Sequence, residues 1–335
     1  MKRKIAIMIA AVAISTSAAP FSLPKPTPYF TAVSPIFGYD PAYGTLVGVA
    51  WFSYPTGQVD TAKTRRDLNL VMRLGPHGAL NYQQQTPHLF GDWGWDYGVS
   101  LNNFYEYTTA KNANEILTES SQFTLSADTK IRRHFGEHAE LYAGPAAHWQ
   151  TLETGLDTAS SYLFTGISYD QRDNPVNSHR GYRLNTELKY QAPAMNNQLD
   201  EHSLQLTFDG RYFVPLSQQQ TLAFHALIQG SHNQGFNSDA GGSELLRGYL
   251  GGQLSGDKMM AGQVEYRFPI WRFIRGVTFI DTVSFLDDDQ TRHYQSAGAG
   301  LRFGLPPDQS MSVRLDAAVN NNGEWLSYIN FNQVF

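Results

Sequence analysis

Apolar residues return at every second position through most of this chain. Beyond the first 14 residues, no apolar run is long enough to cross a bilayer as a helix. In Asp67–Leu74, Leu68, Leu70, Met72 and Leu74 share one face, with Asp67, Asn69 and Arg73 on the other. In Ser203–Tyr212, Leu204, Leu206, Phe208 and Tyr212 oppose Gln205, Thr207, Asp209 and Arg211. In Met260–Phe268, Met260, Val264, Tyr266 and Phe268 oppose Gln263, Glu265 and Arg267. A period of two marks half-apolar strands. Counted with their turn signals, such segments predict about 16 strands of roughly 8–13 residues. The first eleven lie near 31–38, 44–54, 66–75, 79–88, 92–104, 119–133, 138–150, 160–170, 181–191, 202–213 and 221–230. The other five lie near 259–268, 274–286, 293–304, 311–320 and 326–335.

Composition narrows the kind of sheet. Charged residues make up 16%, against about 25% in ordinary globular chains. Aromatics reach 13% and glycine is frequent, at 29 residues. Low charge, many aromatics and alternating strands fit an all-β fold, a 16-stranded antiparallel transmembrane β-barrel, whose lipid-facing residues are diluted by lumen-facing ones. The chain has no cysteine, and a barrel closed by its own hydrogen bonds needs no disulfide. A net charge of −5 gives no support to nucleic-acid binding.

The first residues read as an export signal. Lys2-Arg3-Lys4 precedes the short apolar run Ile5–Ile14, and small residues follow at Thr16, Ser17, Ala18 and Ala19. Residues 1–18 are therefore expected to be a cleaved signal peptide, 19–30 a short periplasmic segment and 31–335 the barrel. With both termini in the periplasm, 231–258 is the longest extracellular connection and 105–118 another. The connections at 134–137, 214–220, 269–273 and 305–310 are short periplasmic turns, while 55–65 and 171–180 are longer than such turns usually are. Ile329, Phe331 and Phe335 are expected to share one face of the last strand. An aromatic terminal strand either closes the barrel or also serves as an insertion signal.

One segment asks for a special place. Leu246-Arg247-Gly248-Tyr249 lies in the glycine-rich stretch Ala240–Gly256, and Glu265 and Asp281 follow on separate strands. An arginine on a flexible loop, followed by isolated carboxylates, suggests a loop folded into the lumen and fastened by a directional ion pair. Its bland rival is a solvated loop arginine. Asp281 has the parity of Phe279 and Val283, so facing it inward turns those apolar residues inward as well. A β-bulge or packing of the loop against Phe279 would reconcile this.

Four stretches together resemble the barrel domain of BamA/TamA-type bacterial surface antigens, the superfamily that includes two-partner secretion transporters. Leu246-Arg247-Gly248-Tyr249 is similar to that family's inward-folded sixth extracellular loop, and Asp170–Gly181 to its turn between strands 8 and 9. Glu265–Ile270 resembles the end of its twelfth strand and Phe279-Ile280-Asp281 its thirteenth-strand motif, with Val283 where a glycine is usual. The resemblance implies that Arg247 pairs with Asp281 and Glu265 as a loop lock. It also implies a Gram-negative outer-membrane location. The proline-rich stretch holding Pro20, Pro24, Pro26 and Pro28 leaves no room for the family's periplasmic POTRA domains, so a barrel-only member is expected.

That resemblance implies assistance to the insertion or translocation of proteins, through a lateral seam between strands 1 and 16 where Pro35 removes a ladder donor. Its partners would be outer-membrane lipids including lipopolysaccharide, client proteins and a separate periplasmic partner. The alternatives are a passive surface barrel, an adhesin-like antigen or a small-solute pore, and less readily a lipid-handling protein. In the turn, Arg172, Asp173, Asn174, Pro175, Arg180 and Gly181 read as a local ion pair around Asn174-Pro175 ended by a glycine. An enzyme is not expected: His148, His179, His225 and His293 lie on different strands or turns without a recognisable nucleophile context. Asp287-Asp288-Asp289 fits no calcium-loop pattern and reads as a solvated loop. No metal or cofactor is expected, and nothing in the chain fixes an oligomeric state.

Overall fold

The computed structural model describes residues 29–40, 44–55, 65–73, 78–103, 105–108, 118–152, 157–175, 177–195, 201–233, 236, 238–251, 253–286, 290–304, 312–331 and 335. Sixteen long antiparallel strands follow one another. They are β1 Tyr29–Asp40, β2 Gly44–Pro55, β3 Arg65–Arg73, β4 Gly78–Phe90, β5 Trp93–Asn102, β6 Thr118–Phe135, β7 Ala139–Leu152 and β8 Asp157–Asp170. The second half comprises β9 Gly181–Gln191, β10 Ser203–Pro215, β11 Thr221–His232, β12 Lys258–Trp271, β13 Ile274–Leu286, β14 Thr291–Gly304, β15 Ser312–Asn320 and β16 Trp325–Phe331. Each strand pairs with its successor, and β1 also lies beside β16. Among the described residues no helix is long and apolar enough to cross a membrane.

Alternation sets the two faces of this sheet. On β13, Ile280 is 62% exposed while its neighbours Phe279 and Asp281 are buried. Leu206, Met260, Val264 and Tyr212 face outward, and Gln205, Gln263, Glu265 and Arg267 are buried inside. Apolar outside and polar inside is the arrangement a bilayer selects, because lipid surrounds the wall. Large exposed aromatics gather near the ends of strands, at Phe90 and Trp93, Phe135, and Trp271 and Phe273, as expected for residues at a membrane–water boundary.

The structure differs from the sequence expectations at several places. Tyr105–Thr108, placed in a loop, is a strand that pairs with Thr118–Ser121; its tyrosines and threonine favour an extended backbone. The connection 231–258 contains a small hairpin, Ser238–Ala240 against Leu254–Gly256. The first strand begins at Tyr29, two residues inside the segment expected to precede the barrel. Phe335 does not share a face with Ile329. It is buried inside against Phe213 and Ala223, two inward-facing residues of β10 and β11. A contact from Arg267 to its main-chain oxygen holds it there. The side chain of Phe331 lies outside the described residues, as do the expected signal peptide, most of the segment after it and Asp287-Asp288-Asp289.

Candidate functional site

The segment between β11 and β12 turns back into the lumen. Its small hairpin places Leu246 and Tyr249 in an apolar cluster with Met259 of β12 and Val283 and Phe285 of β13. Between those two anchors, Arg247 is fully buried. Its Nε donates to Asp281 Oδ2 at 2.7 Å and its Nη2 to Asp281 Oδ1 at 2.7 Å, a two-point fork. The Arg247 backbone N–H adds a third bond to Oδ2 at 3.2 Å. Nη1 donates to Glu265 Oε1 at 2.6 Å and reaches Asp316 Oδ2 at 3.5 Å.

Register explains why these groups converge. Glu265 and Phe279 are cross-strand partners, as are Gln263 and Asp281, so the two acids are diagonal neighbours on one inward face. The parity conflict at Asp281 is resolved by packing. The ladder from Met259–Phe285 to Pro269–Arg275 runs without a shift, the irregularity falling between Pro269 and Trp271. Phe279 points inward, and the Arg247 guanidinium lies 3.3 Å from its ring centroid, a cation–π contact in a desolvated place. Gly298 sits opposite Phe279 on β14, where a Cβ would collide with the ring.

Gly248 and Tyr249 complete the hold on the loop. Gly248 has φ +94°, a conformation that other residues adopt only with strain. Its N–H donates to Tyr328 Oη at 2.9 Å, and its carbonyl accepts from Asn320 Nδ2 at 2.9 Å. Tyr328 also donates to the Tyr249 carbonyl at 2.8 Å, while the Tyr249 hydroxyl bonds Asn321. Thus β15, β16 and the hairpin between them clasp the loop from the other side.

Further charges surround the fork. Arg302 of β14 donates to Asp316 Oδ1 at 2.5 Å, and its Nη2 lies 3.6 Å from Glu265 Oε1. Arg314 of β15 reaches back to the loop, donating to Ser243 Oγ and Glu244 Oε1, each at 2.7 Å. Arg267 donates through Nε to Glu265 Oε2 at 2.9 Å. Positive and negative side chains therefore alternate in space, which offsets the desolvation each would otherwise suffer.

The turn after β8 is built differently from its expected form. Arg172 pairs with Asp170, not Asp173, through Nε–Oδ1 at 2.9 Å and Nη2–Oδ2 at 2.7 Å. Asp173 Oδ1 instead accepts the backbone N–H groups of Asn174, His179 and Arg180. Asn174 accepts from the Asn177 N–H and, through its carbonyl, from Ser178 Oγ, while the Pro175 carbonyl accepts from Arg172. Gly181 has φ +100°, and a Cβ there would strike the Gln171 carbonyl. Short acids cap turn backbones more readily than they reach a neighbouring guanidinium. The turn also enters the barrel mouth, where Ser178 is buried and its carbonyl lies 3.4 Å from Arg267 Nη1.

With this arrangement in view, the comparisons are decisive about family. A profile of the Omp85 superfamily domain matches residues 63–330. The chain belongs to the Omp85 superfamily. No curated protein matches it by sequence. Among solved structures, this Omp85 chain is similar to BamA from Haemophilus ducreyi lacking POTRA domains 1–3, with TM-score 0.64 and 14% identity over 98% of this chain and 75% of that one. It is similar to CdiB from Acinetobacter baumannii, with TM-score 0.65 and 14% identity over 91% and 59% of the two chains. CdiB from Escherichia coli gives TM-score 0.63 and 11% identity over 92% and 64%. The Omp85 chain thus spans under two thirds of either CdiB.

Several residues of this Omp85 site were not singled out from sequence: Asp316, Arg302, Arg314, Asn320 and Tyr328. Arg314 and Asp316 are two apart on one strand, and that alternation was the available signal. The histidines disperse as expected along the chain, yet two of them meet serines. Ser126 Oγ lies 2.9 Å from His148 Nδ1 across β6 and β7, and His148 Nε2 faces the Gln150 amide oxygen at 3.3 Å. Ser284 and His293 pair at 2.7 Å on the exposed outer face.

Proposed function

We propose that this Omp85 barrel assists the insertion of other proteins into the outer membrane, using the edges of β1 and β16 as a lateral seam. One observation carries the reading: the loop bearing Arg247 fills the lumen beside β11–β16. A client has less room inside the barrel and better access to the wall. The wall is also uneven where its ends meet. β1 has 12 residues and the described part of β16 has 7. Pro35, opposite Val49 in the β1–β2 ladder, offers no N–H toward either neighbour. Once parted, a strand edge exposes backbone groups that template β-augmentation by an incoming strand.

The mechanism needs no bond chemistry. The seam parts, a client strand adds to the exposed edge, and the surrounding lipid, including lipopolysaccharide, is perturbed locally. A separate periplasmic partner would deliver clients to the mouth where the 171–180 turn lies.

The chain has no cysteine, so the seam can be locked cleanly. Cysteine pairs drawn from Phe30–Phe37 and Ile329–Phe335 are to be oxidised across the seam in proteoliposomes. Assembly of an unfolded outer-membrane barrel should stop in the locked form and return on reduction. Full assembly by the locked form removes the seam mechanism, and unchanged ion conductance alone favours a passive pore.

A further inference from the structure

Arg267 lies two residues after Glu265 on the same inward face of β12 and touches three different parts of the molecule. Its Nε and Nη2 both lie 2.9 Å from the same oxygen of Glu265, Oε2. Nη2 also donates to the Phe335 main-chain oxygen at 3.0 Å, and Nη1 reaches the Ser178 carbonyl at 3.4 Å. The guanidinium stacks near the rings of Phe213 and Phe335, 5.5 and 5.4 Å from their centroids. Glu265 Oε1 is meanwhile held by Arg247 at 2.6 Å. One carboxylate is thus divided between the extracellular loop and the periplasmic mouth.

We infer that Arg267 is a positioning residue that couples docking of the loop to docking of Phe335 and the 171–180 turn. The coupling follows from how guanidinium and carboxylate match. Arginine prefers a two-point fork on both oxygens of one acid. While Arg247 occupies Oε1, Arg267 is confined to Oε2, and Nη2 is shared with the Phe335 oxygen. When Arg247 leaves, Oε1 opens to Arg267, whose Nε and Nη2 already lie 2.9 Å from Oε2, while Arg302 Nη2 stands farther off at 3.6 Å and is held by Asp316. Arg267 then completes the fork through Nε and Nη2 and withdraws Nη2 from Phe335. Both arrangements satisfy Glu265, so the element has two discrete states. Each end of the barrel biases them. Coupling of this kind is reciprocal: loss of Phe335 must loosen the loop by the factor by which loss of Arg247 loosens Phe335. This holds whether or not the seam opens.

Two buried alanines serve as reporters in the cysteine-free chain. Ala240, in the loop hairpin, lies in the apolar cluster under the loop, and Ala223 lies against Phe335. Ala240→Cys and Ala223→Cys are placed singly in the full chain in proteoliposomes, and the rate of maleimide labelling is measured. Arg247→Ala is expected to speed labelling at both reporters, with about a tenfold rise at Ala223→Cys, within the usual range for linked sites. Phe335→Ala should speed labelling of Ala240→Cys by a similar factor. Arg267→Lys, a single-point donor, should unmask Ala223→Cys and abolish the response of that reporter to Arg247→Ala. Should Arg247→Ala fail to fold, Asp281→Asn replaces it as the loop perturbation with the same readings. Labelling that rises at Ala240→Cys while Ala223→Cys stays within about twofold of the parent overturns the coupling. So does a response that persists unchanged in Arg267→Lys.

Discussion

Arg247 grips Asp281 through Nε–Oδ2 and Nη2–Oδ1, both 2.7 Å. Arg211 grips Asp209 through Nε–Oδ1 at 2.9 Å and Nη2–Oδ2 at 2.8 Å. The two forks have nearly the same geometry and lie in the same lumen. Their surroundings differ. Both partners of the first are 0% exposed, whereas Arg211 and Asp209 are 22% and 20% exposed. The first joins a loop to a wall strand across 34 positions of sequence, while the second joins two residues of one strand. The wall from β6 to β9 stays open, with a cavity of about 200 Å³ lined in part by Asp128 of β6, His148 of β7, Tyr162 of β8 and Gln191 of β9. A fork therefore has structural weight only where water cannot substitute for either partner and where the chain would otherwise separate them.

Removing the buried fork should have the largest effect. Arg247→Ala strips Asp281 of its forked guanidinium in a dry place, leaving Glu265 to Arg267 and Asp316 to Arg302, and loss of one partner from a buried pair costs about 3–5 kcal/mol. Urea unfolding in bilayers should show a loss of that size. Asp281→Ala should cost a similar amount, and the double variant much less than the sum, since the groups act as a unit. Strict additivity would mean that the loop is held by Leu246, Tyr249 and the Tyr328 bonds alone.

How much of this contrast is legible in sequence depends on the range of the interaction. Strand existence and face follow from a period of two, which is local, and Gln263, Glu265 and Arg267 are legible as one polar face. Arg247 with Asp281 is legible only through the family resemblance, since the residues by themselves leave a solvated loop arginine equally open. Asp316 and Arg302 are not, because their convergence depends on two successive registers, Phe279 opposite Gly298 and Gly300 opposite Asp316. Phe335 illustrates the same limit: alternation alone puts it on the face of Ile329, yet a guanidinium on a strand 68 positions earlier holds it inside. Asp173 was misassigned for the opposite reason, since backbone capping within the turn wins over the nearest arginine.

The part-buried fork supplies the second test of the contrast. Arg211→Ala should destabilise the barrel by clearly less than Arg247→Ala, because its pair is partly reached by water and Asp209 keeps His225 Nε2 at 3.5 Å. Its effect should shrink further at high salt, where exposed charges are screened. The Arg247→Ala penalty should keep most of its size under the same conditions. Equal penalties for the two variants would mean that fork geometry, not burial, sets their weight.

The smallest effect belongs to pH, and it separates the 171–180 turn from both forks. Arg275 Nη1 lies 3.3 Å from His179 Nε2, and Thr221 Oγ1 lies 2.8 Å from Nδ1. An arginine can only donate, so Nε2 accepts, Nδ1 carries the proton and donates to Thr221, and the docked imidazole is neutral. Burial holds its pKa below the usual 6.5, with Arg275 and Arg267 acting in the same direction and Asp173 opposing them. The released turn therefore binds a proton more readily than the docked one. His179's contribution to docking is fully present above pH 6.5 and is lost as pH falls from there through the lowered value. A cysteine at the buried Asn177 should be labelled faster at about pH 5 than at about pH 7.5. His179→Gln retains hydrogen-bonding capacity without a titrating group, so it should flatten that dependence. A slope that survives in His179→Gln would place the pH response elsewhere in the mouth.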